Sequence, residues 1–281
     1  MKMLPSVIVE SAHAVAHVTL NRPDRRNAYD GRLIAALHTA FEEIERDDSI
    51  RVVVLTGAGM TFCAGADLRW MVPSSPVSDI QARADAEQLS DMYRAIDECP
   101  FPVIGRVNGA AFGGGVGLIA VCDIVVAAEH ATFALSETKW GLVPAVISPF
   151  LLRKAGESFL RRYCLTGETF SASVARQFHL IHEVVGEDTL DKRIAELIEA
   201  VLYVAPGAAK DTKVLLRRLL SMAEPDRRPV SVEANAQARL SMEASEGLKA
   251  FLEKRPPAWV PQKHTQIIEP LRPHDAADHR A

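Results

Sequence analysis

Glycine stands at 113, 114, 115 and 117 in AFGGGVGLIAVCD (111–123). Such a density weakens a helix or strand unless bare backbone is needed. A second small-residue stretch, CAGADL (63–68), likewise follows a short buried strand and leads into a helix. At such junctions backbone N–H groups can face a ligand, and a helix N-terminus adds positive potential. Two N–H groups converging on one carbonyl oxygen would stabilise developing negative charge. Removing one donor of that kind costs about 3–4 kcal/mol of transition-state stabilisation. Two tight turns with close helix packing fit the same pattern, and spacing alone does not choose between the readings.

Other chemistries fit less well. GVGLIA (115–120) matches the dinucleotide fingerprint G-x-G-x-x-G/A, but it comes after three strand candidates. The fingerprint needs the first strand of a βαβ unit and an acidic residue about 20 positions on. Asp123 comes too soon, and Glu137 follows an additional strand. No Gly-Lys-Ser/Thr follows any glycine run, which excludes a P-loop. Cys63 has no identifiable partner base, and burial is the commoner fate of cysteine. His179 and His182 could face one side of a helix turn, but two potential ligands with no acidic motif around them make a poor metal site. Arg22, Arg25 and Arg26 in NRPDRRNA form either a solvated turn or an anion-binding rim, and local residues favour the turn.

The elements that must position these groups read as alternating strands and helices, an α/β architecture. AVAHVTL (14–20), RVVVLTG (51–57), PVIGRV (102–107), DIVVAA (123–128) and TFAL (132–135) read as strands. Leu33, Ile34, Leu37, Phe41 and Ile44 recur at helical spacing over 30–46, and a second helix spans 79–97. From about 188 the strand signals stop and helices take over, including a long one near 230–254. This predicts a core over 1–187, a helical region over 188–263, and a loosely ordered tail over 264–281. No tandem repeat at solenoid spacing is visible.

The 281 residues can bury a sizeable core, and 48% hydrophobic with 24% charged residues fits an ordinary globular protein. A net charge of −4 argues against a general nucleic-acid footprint. Four cysteines without CxxC or zinc spacing read as reduced thiols. Glu10 interrupts any leader-like apolar run, and no segment has the length of a membrane span. The expectation is a cytoplasmic protein with no membrane or nucleic-acid partner.

NRPDRRNA, LTGAGMTFCAGADL, VNGAAFGGGVGLIAVCDIVVA, FALSETKWGLVP and GLKAFLEKRPPAW, in this order, resemble the crotonase (enoyl-CoA hydratase/isomerase) superfamily over most of 14–260. The resemblance implies a spiral of ββα-type units with a helical C-terminal trimerisation region, giving a homotrimer or a dimer of trimers. It implies that the backbone N–H groups of Ala66 and Gly114 form an oxyanion hole for a CoA thioester carbonyl. It places CoA contacts on Arg25, Ala28, Ala64, Asp67 and Leu68. Phe251 and Lys254 match positions that reach a neighbouring subunit's CoA, although Phe251 could also be a core residue of the last helix. Trp70, Gly117 and Lys139 are candidates to line the substrate pocket. No metal or redox cofactor is implied, because CoA arrives with the substrate.

Hydratases of this family commonly use two glutamates. The second matches Glu137, whereas the first falls on Gly117, which cannot transfer a proton. A single glutamate suffices for Δ3,Δ2-enoyl-CoA isomerases. AGADLRWM, FGGGVGL and GLVPAVISPFLLRKAGE nevertheless look most like bacterial methylglutaconyl-CoA hydratases, which can carry a small residue at that position. The favoured expectation is hydration of a branched, carboxylated enoyl-CoA, with Arg69 and Lys139 as candidate cations for the carboxylate. The alternatives are the isomerase and, in another class, a non-catalytic acyl-CoA or RNA-binding member.

Overall fold

The computed structural model describes residues 5–72 and 77–261. The tail expected to be loosely ordered, 264–281, lies outside the described residues. The first half runs β1 (Val7–Ala12), β2 (Val15–Leu20), α1 (Gly31–Glu45), β3 (Val52–Gly57), β4 (Thr61–Cys63), α2 (Leu68–Met71) and α3 (Asp79–Glu98). β5 (Val103–Val107), β6 (Ala110–Phe112), α4 (Gly114–Val121), β7 (Ile124–Ala128) and β8 (Thr132–Ala134) follow. Next come α5 (Ser148–Ala155), α6 (Glu157–Thr166), β9 (Thr169–Ser171), α7 (Ala172–Gln177) and β10 (Glu183–Val185). Four helices end the described chain: α8 (Leu190–Tyr203), α9 (Pro206–Leu220), α10 (Glu224–Leu240) and α11 (Met242–Leu252).

The strands sort into two sheets. One is ordered β1-β2-β3-β5-β7-β10 and the other β4-β6-β8-β9. β2, β3, β5, β7 and β10 are parallel neighbours, as are β4, β6 and β8. The pairs β3–β4, β5–β6 and β7–β8 each lay one strand in each sheet before a helical segment returns the chain, the ββα spiral expected of the crotonase fold. The turns are unequal. β3, β5 and β7 begin at Val52, Val103 and Ile124, so one turn is more than twice as long as the next. That inequality hides the repeat from any search at fixed spacing.

β3 is buried at every position because both faces of its sheet are covered. Val53 and Leu55 face a core shared with α1, α3 and α4. Val52 and Val54 face the opposite way, against Leu190, Ile194, Ile198 and Leu202 of α8. The short apolar run VVVL is thereby accounted for without alternation. α4 is buried all round, which its composition permits because it carries no polar side chain.

The single helix expected near 230–254 is two helices. Ser241 breaks the run: its backbone is extended, and its hydroxyl accepts from the Ala244 N–H at 3.0 Å to cap α11. None of the described helices is long and apolar enough to cross a membrane.

Candidate active site

Two small-residue loops meet where the sequence places the oxyanion hole. The strand-like segment after Asn27 bridges the segment after Ala64. The Ala64 N–H donates to the Arg26 carbonyl (2.9 Å), Tyr29 N–H to Gly65 (2.9 Å) and Asp67 N–H to Tyr29 (2.8 Å). In such a parallel bridge the flanking residues make the bonds, so the N–H of Ala66 points away from Tyr29. Among the described residues neither it nor the Gly114 N–H donates to a protein acceptor.

Gly65 lets the loops approach. It sits at φ +83°, and a β-carbon there would lie 2.6 Å from the Phe112 carbonyl oxygen and 3.4 Å from the Gly114 nitrogen. Gly113, at φ +51°, caps α4 and hangs from β8 by donating to the Ala134 carbonyl at 2.8 Å. Gly114 then begins α4, so its N–H lies in the positive field of a buried helix end.

Glu137 opens a 3-10 turn just after β8. Thr138 anchors that turn by donating to the Cys164 carbonyl at 2.7 Å, and Gly141 closes it in the left-handed region. The carboxyl rests on Gly113, with Oε1 3.1 Å from where a β-carbon would stand. Oε2 is buried and has no hydrogen-bond partner among the described residues. Burial pushes the Glu137 pKa above its ordinary value of 4.5, partly offset by a backbone hydrogen bond. A carboxyl poised this way, its pKa raised by burial, can take and return a proton.

Position 117 is different in kind. A β-carbon on Gly117 would overlap the Ile147 methyl and stand 3.0 Å from the Tyr93 hydroxyl. The volume a first glutamate would need is filled by these two side chains. The site therefore has one carboxylate, Glu137, and position 117 contributes buried helix backbone.

The expected CoA contacts Arg25, Ala28, Ala64, Asp67 and Leu68 are brought together by the same bridge. Arg22, which sequence reasoning left as a turn residue, organises them. It donates to the Ala28 carbonyl at 2.6 Å and pairs with Asp30 (3.2 Å) and Asp67 (3.3 Å). The Asp67 carboxylate also caps α2 through the Arg69 N–H at 3.1 Å, so its charge is committed within the protein. Arg25 pairs only with the exposed Asp24 and remains largely exposed itself. Asn27 is fully buried and left-handed, and its amide donates to the carbonyls of Ala58 (2.9 Å) and Thr61 (2.6 Å).

Trp70 lies across Gly31 at the start of α1 and keeps 39% of its surface exposed. The stem of Lys139 crosses Gly167. Phe251 is 80% exposed on α11, which removes the core reading for that residue within one chain. No hydrogen bond links Phe251 or Lys254 to the cluster around Glu137. A cavity of about 380 Å³ between α9 and α10, lined by Val214, Arg218 and Val230 among others, contains none of the site residues.

The discarded chemistries can be placed as well. Cys63 is fully buried, its pKa pushed up to about 12 by that burial, and its thiol donates to the Asn27 carbonyl at 3.2 Å. His179 and His182 lie in the turn after α7 rather than on a helix, and His182 Nδ1 accepts from the Val125 N–H at 2.9 Å. No group of three His, Cys, Asp or Glu side chains among the described residues could hold a metal ion.

The Enoyl-CoA hydratase/isomerase family matches residues 10–262, and the chain belongs to that family. Its curated relatives include the 1,2-epoxyphenylacetyl-CoA isomerase of Escherichia coli, 33% identical over 92% of this chain and 99% of that protein. Mevalonyl-coenzyme A hydratase sidH of Aspergillus fumigatus is 33% identical over 88% of this chain and 91% of its own length. Among solved structures, an enoyl-CoA hydratase from Shewanella pealeana superposes with a TM-score of 0.86 at 38% identity, covering 90% of this chain and 96% of that one. The chain is an enzyme of the crotonase superfamily, and hydratases and an isomerase both stand among its relatives.

Proposed function

We propose that the chain hydrates a branched 2-enoyl-CoA through an enolate, with Glu137 as the only proton-transfer group. The observation that carries this reading is the Glu137 carboxyl lying over Gly113, next in sequence to Gly114, whose N–H, like that of Ala66, has no acceptor among the described residues. The thioester oxygen would sit between the Ala66 and Gly114 N–H groups. Glu137 accepts a proton from water as the water oxygen bonds to C3, and the C2–C3 π pair moves into the thioester to form the enolate. The protonated Glu137 then returns its proton to C2 as the enolate collapses. One carboxylate serves both halves, so Gly117 is no obstacle.

The hydratase named among the solved relatives at 38% identity supports this direction of the chemistry. For a carboxylated branch, Arg69 and Lys139 remain the candidate cations, both exposed. Single-carboxylate isomerisation is the second reading. It is favoured by the filled volume at position 117 and by the Escherichia coli isomerase relative. There Glu137 would move a proton from C2 to C4 with no water consumed.

Mass spectrometry of 3-methylglutaconyl-CoA, crotonyl-CoA and a 3-enoyl-CoA incubated in heavy water separates the two. Gain of one water on the branched substrate supports hydration. Migration of the double bond with no water gained by any substrate overturns it in favour of the isomerase.

The assembly belongs to the same proposal. Leu240, Met242, Leu248, Phe251 and Leu252 are all at least 66% exposed in one chain, a surface larger than isolated apolar residues explain. A homotrimer, or a dimer of trimers, would cover it and carry Phe251 and Lys254 to a neighbour's CoA. Sedimentation velocity tests this, and a monomer at micromolar concentration would sink it.

A further inference from the structure

Tyr29 touches both loops proposed to form the oxyanion hole. Its backbone makes both bonds of the bridge around Ala66, accepting from Asp67 and donating to Gly65. Its side chain runs to the other loop. A β-carbon on Gly114 would overlap the Tyr29 hydroxyl and lie 2.6 Å from its Cζ, so the phenol end rests directly on the Gly114 α-carbon. The ring is 4% exposed, and its position is fixed by the core around it.

Tyr93 completes the arrangement from α3. It is fully buried, and its hydroxyl donates to the Gly114 carbonyl at 2.7 Å. A carbonyl can only accept, so the Tyr93 proton is committed to Gly114. Gly114 is thus held at its carbonyl by Tyr93 and backed at its α-carbon by the Tyr29 phenol.

We propose that Tyr29 is a positioning residue that fixes the separation of the Ala66 and Gly114 N–H groups, with Tyr93 holding the Gly114 carbonyl against it. The inference rests on the reading of those two N–H groups as the oxyanion hole. Donors help only when they are aimed where charge develops, and a shift of a few tenths of an ångström between them weakens both bonds. Glycines give the loops their close approach but cannot hold them at one spacing. A rigid phenol spanning from one loop to the other can. The Tyr93 hydroxyl also backs onto Gly117, so the residue that holds the Gly114 carbonyl occupies part of the space a second carboxylate would take.

Tyr29→Phe keeps the ring and the backbone bridge and deletes only the hydroxyl. The expected result is a kcat lowered about tenfold, because Gly114 loses the phenol oxygen it rests against, with KM changed by less than about twofold. The acid limb of the pH profile should stay where it is, because Glu137 is untouched. The second readout is the absorption of bound cinnamoyl-CoA, a conjugated thioester whose band moves to the red as its carbonyl is polarised. That shift should shrink in Tyr29→Phe and in Tyr93→Phe.

A purely structural role would lower the melting temperature and the fraction of active sites while leaving the shift per bound ligand unchanged, and that outcome overturns the proposal. So does a wild-type kcat and shift in Tyr29→Phe. If wild-type protein itself gives no red shift on binding cinnamoyl-CoA, the oxyanion-hole reading falls first. If wild type shifts and both variants shift equally, only the assignment of Tyr29 falls. Should one variant fail to fold, the other is read by the same criteria.

Discussion

The Glu137 carboxyl rests on the backbone of Gly113, with Oε1 3.1 Å from the place a β-carbon would occupy. This contact puts the acid–base group beside the first turn of α4 and keeps Oε2 buried without a protein partner. Its raised pKa follows from that burial. The direction sets the sign of two pH effects. The proposed reaction uses the carboxylate, so kcat/KM should fall as pH drops through the Glu137 pKa, and that acid limb should lie above 4.5. The folded protein binds this proton more tightly than the unfolded chain does. Stability from this group is therefore present below about pH 4.5 and declines as pH rises through the folded pKa.

Glu137→Gln separates catalysis from stability. Loss of the only proton-transfer group should lower kcat/KM by about 10²–10⁴-fold and leave no acid limb in what activity remains. The buried charge disappears at the same time, so the variant should melt at the same temperature as wild type or higher at pH 7. Steady-state kinetics and a thermal melt at two pH values check this. A variant that is active and less stable would reverse both arguments.

Gly113→Ala tests the contact from the other side. The position combines φ +51° with ψ −121°, which an L side chain adopts at a cost of about 1–3 kcal/mol. The added methyl would also push on the carboxyl. The expected outcome is a lower melting temperature together with a loss of kcat clearly larger than that of a surface control such as Arg83→Ala. Equal activity in the two variants would show that the carboxyl does not depend on Gly113.

Much of this arrangement was legible in the sequence. The five strand segments fall within a residue or two of β2, β3, β5, β7 and β8, because each is an apolar run bounded by turn residues. Ala66 and Gly114 came from the family resemblance, whereas small residues before a helix only raised the possibility. β1 escaped because its hairpin turns at His13 and Ala14, both at positive φ and neither a residue that signals such a turn. β4, β6, β9 and β10 have three residues each, too few for a period to register. Tyr29 and Tyr93 were missed for a different reason. Tyr29 sits in a turn segment, NAYDG, and Tyr93 on the core face of a helix, and only the fold reveals that both hydroxyls end at Gly114.

Asn27 supports the CoA-binding segment through its amide. It is left-handed and fully buried, and it holds the carbonyls of Ala58 and Thr61 while accepting from the Arg22 N–H at 2.9 Å. Asn27→Ala strands two buried carbonyls and one N–H and places alanine at φ +55°. The loss should be about 2–4 kcal/mol of stability. The bridge to Ala64–Asp67 would loosen with it, raising KM for CoA substrates more than it lowers kcat. Chemical denaturation and a KM against kcat comparison test the two halves separately.

Gly117→Glu asks whether a second carboxylate can simply be restored. Ile147 and Tyr93 fill the required volume, and overpacking of a buried position costs about 1–3 kcal/mol. The glutamate would also be desolvated with no cation among the groups it meets, so it would enter protonated and poor as a base. The single variant should therefore be less stable than wild type and no faster with crotonyl-CoA. Gly117→Glu with Ile147→Ala removes the methyl that overlaps the new side chain while keeping Tyr93. If filled volume is what excludes the second carboxylate, the double variant should recover stability relative to Gly117→Glu and gain water-addition activity over it. If the single variant already accelerates hydration, the space at 117 is more yielding than the packing of Ile147 implies, and the one-carboxylate site is then a matter of residue type rather than of volume.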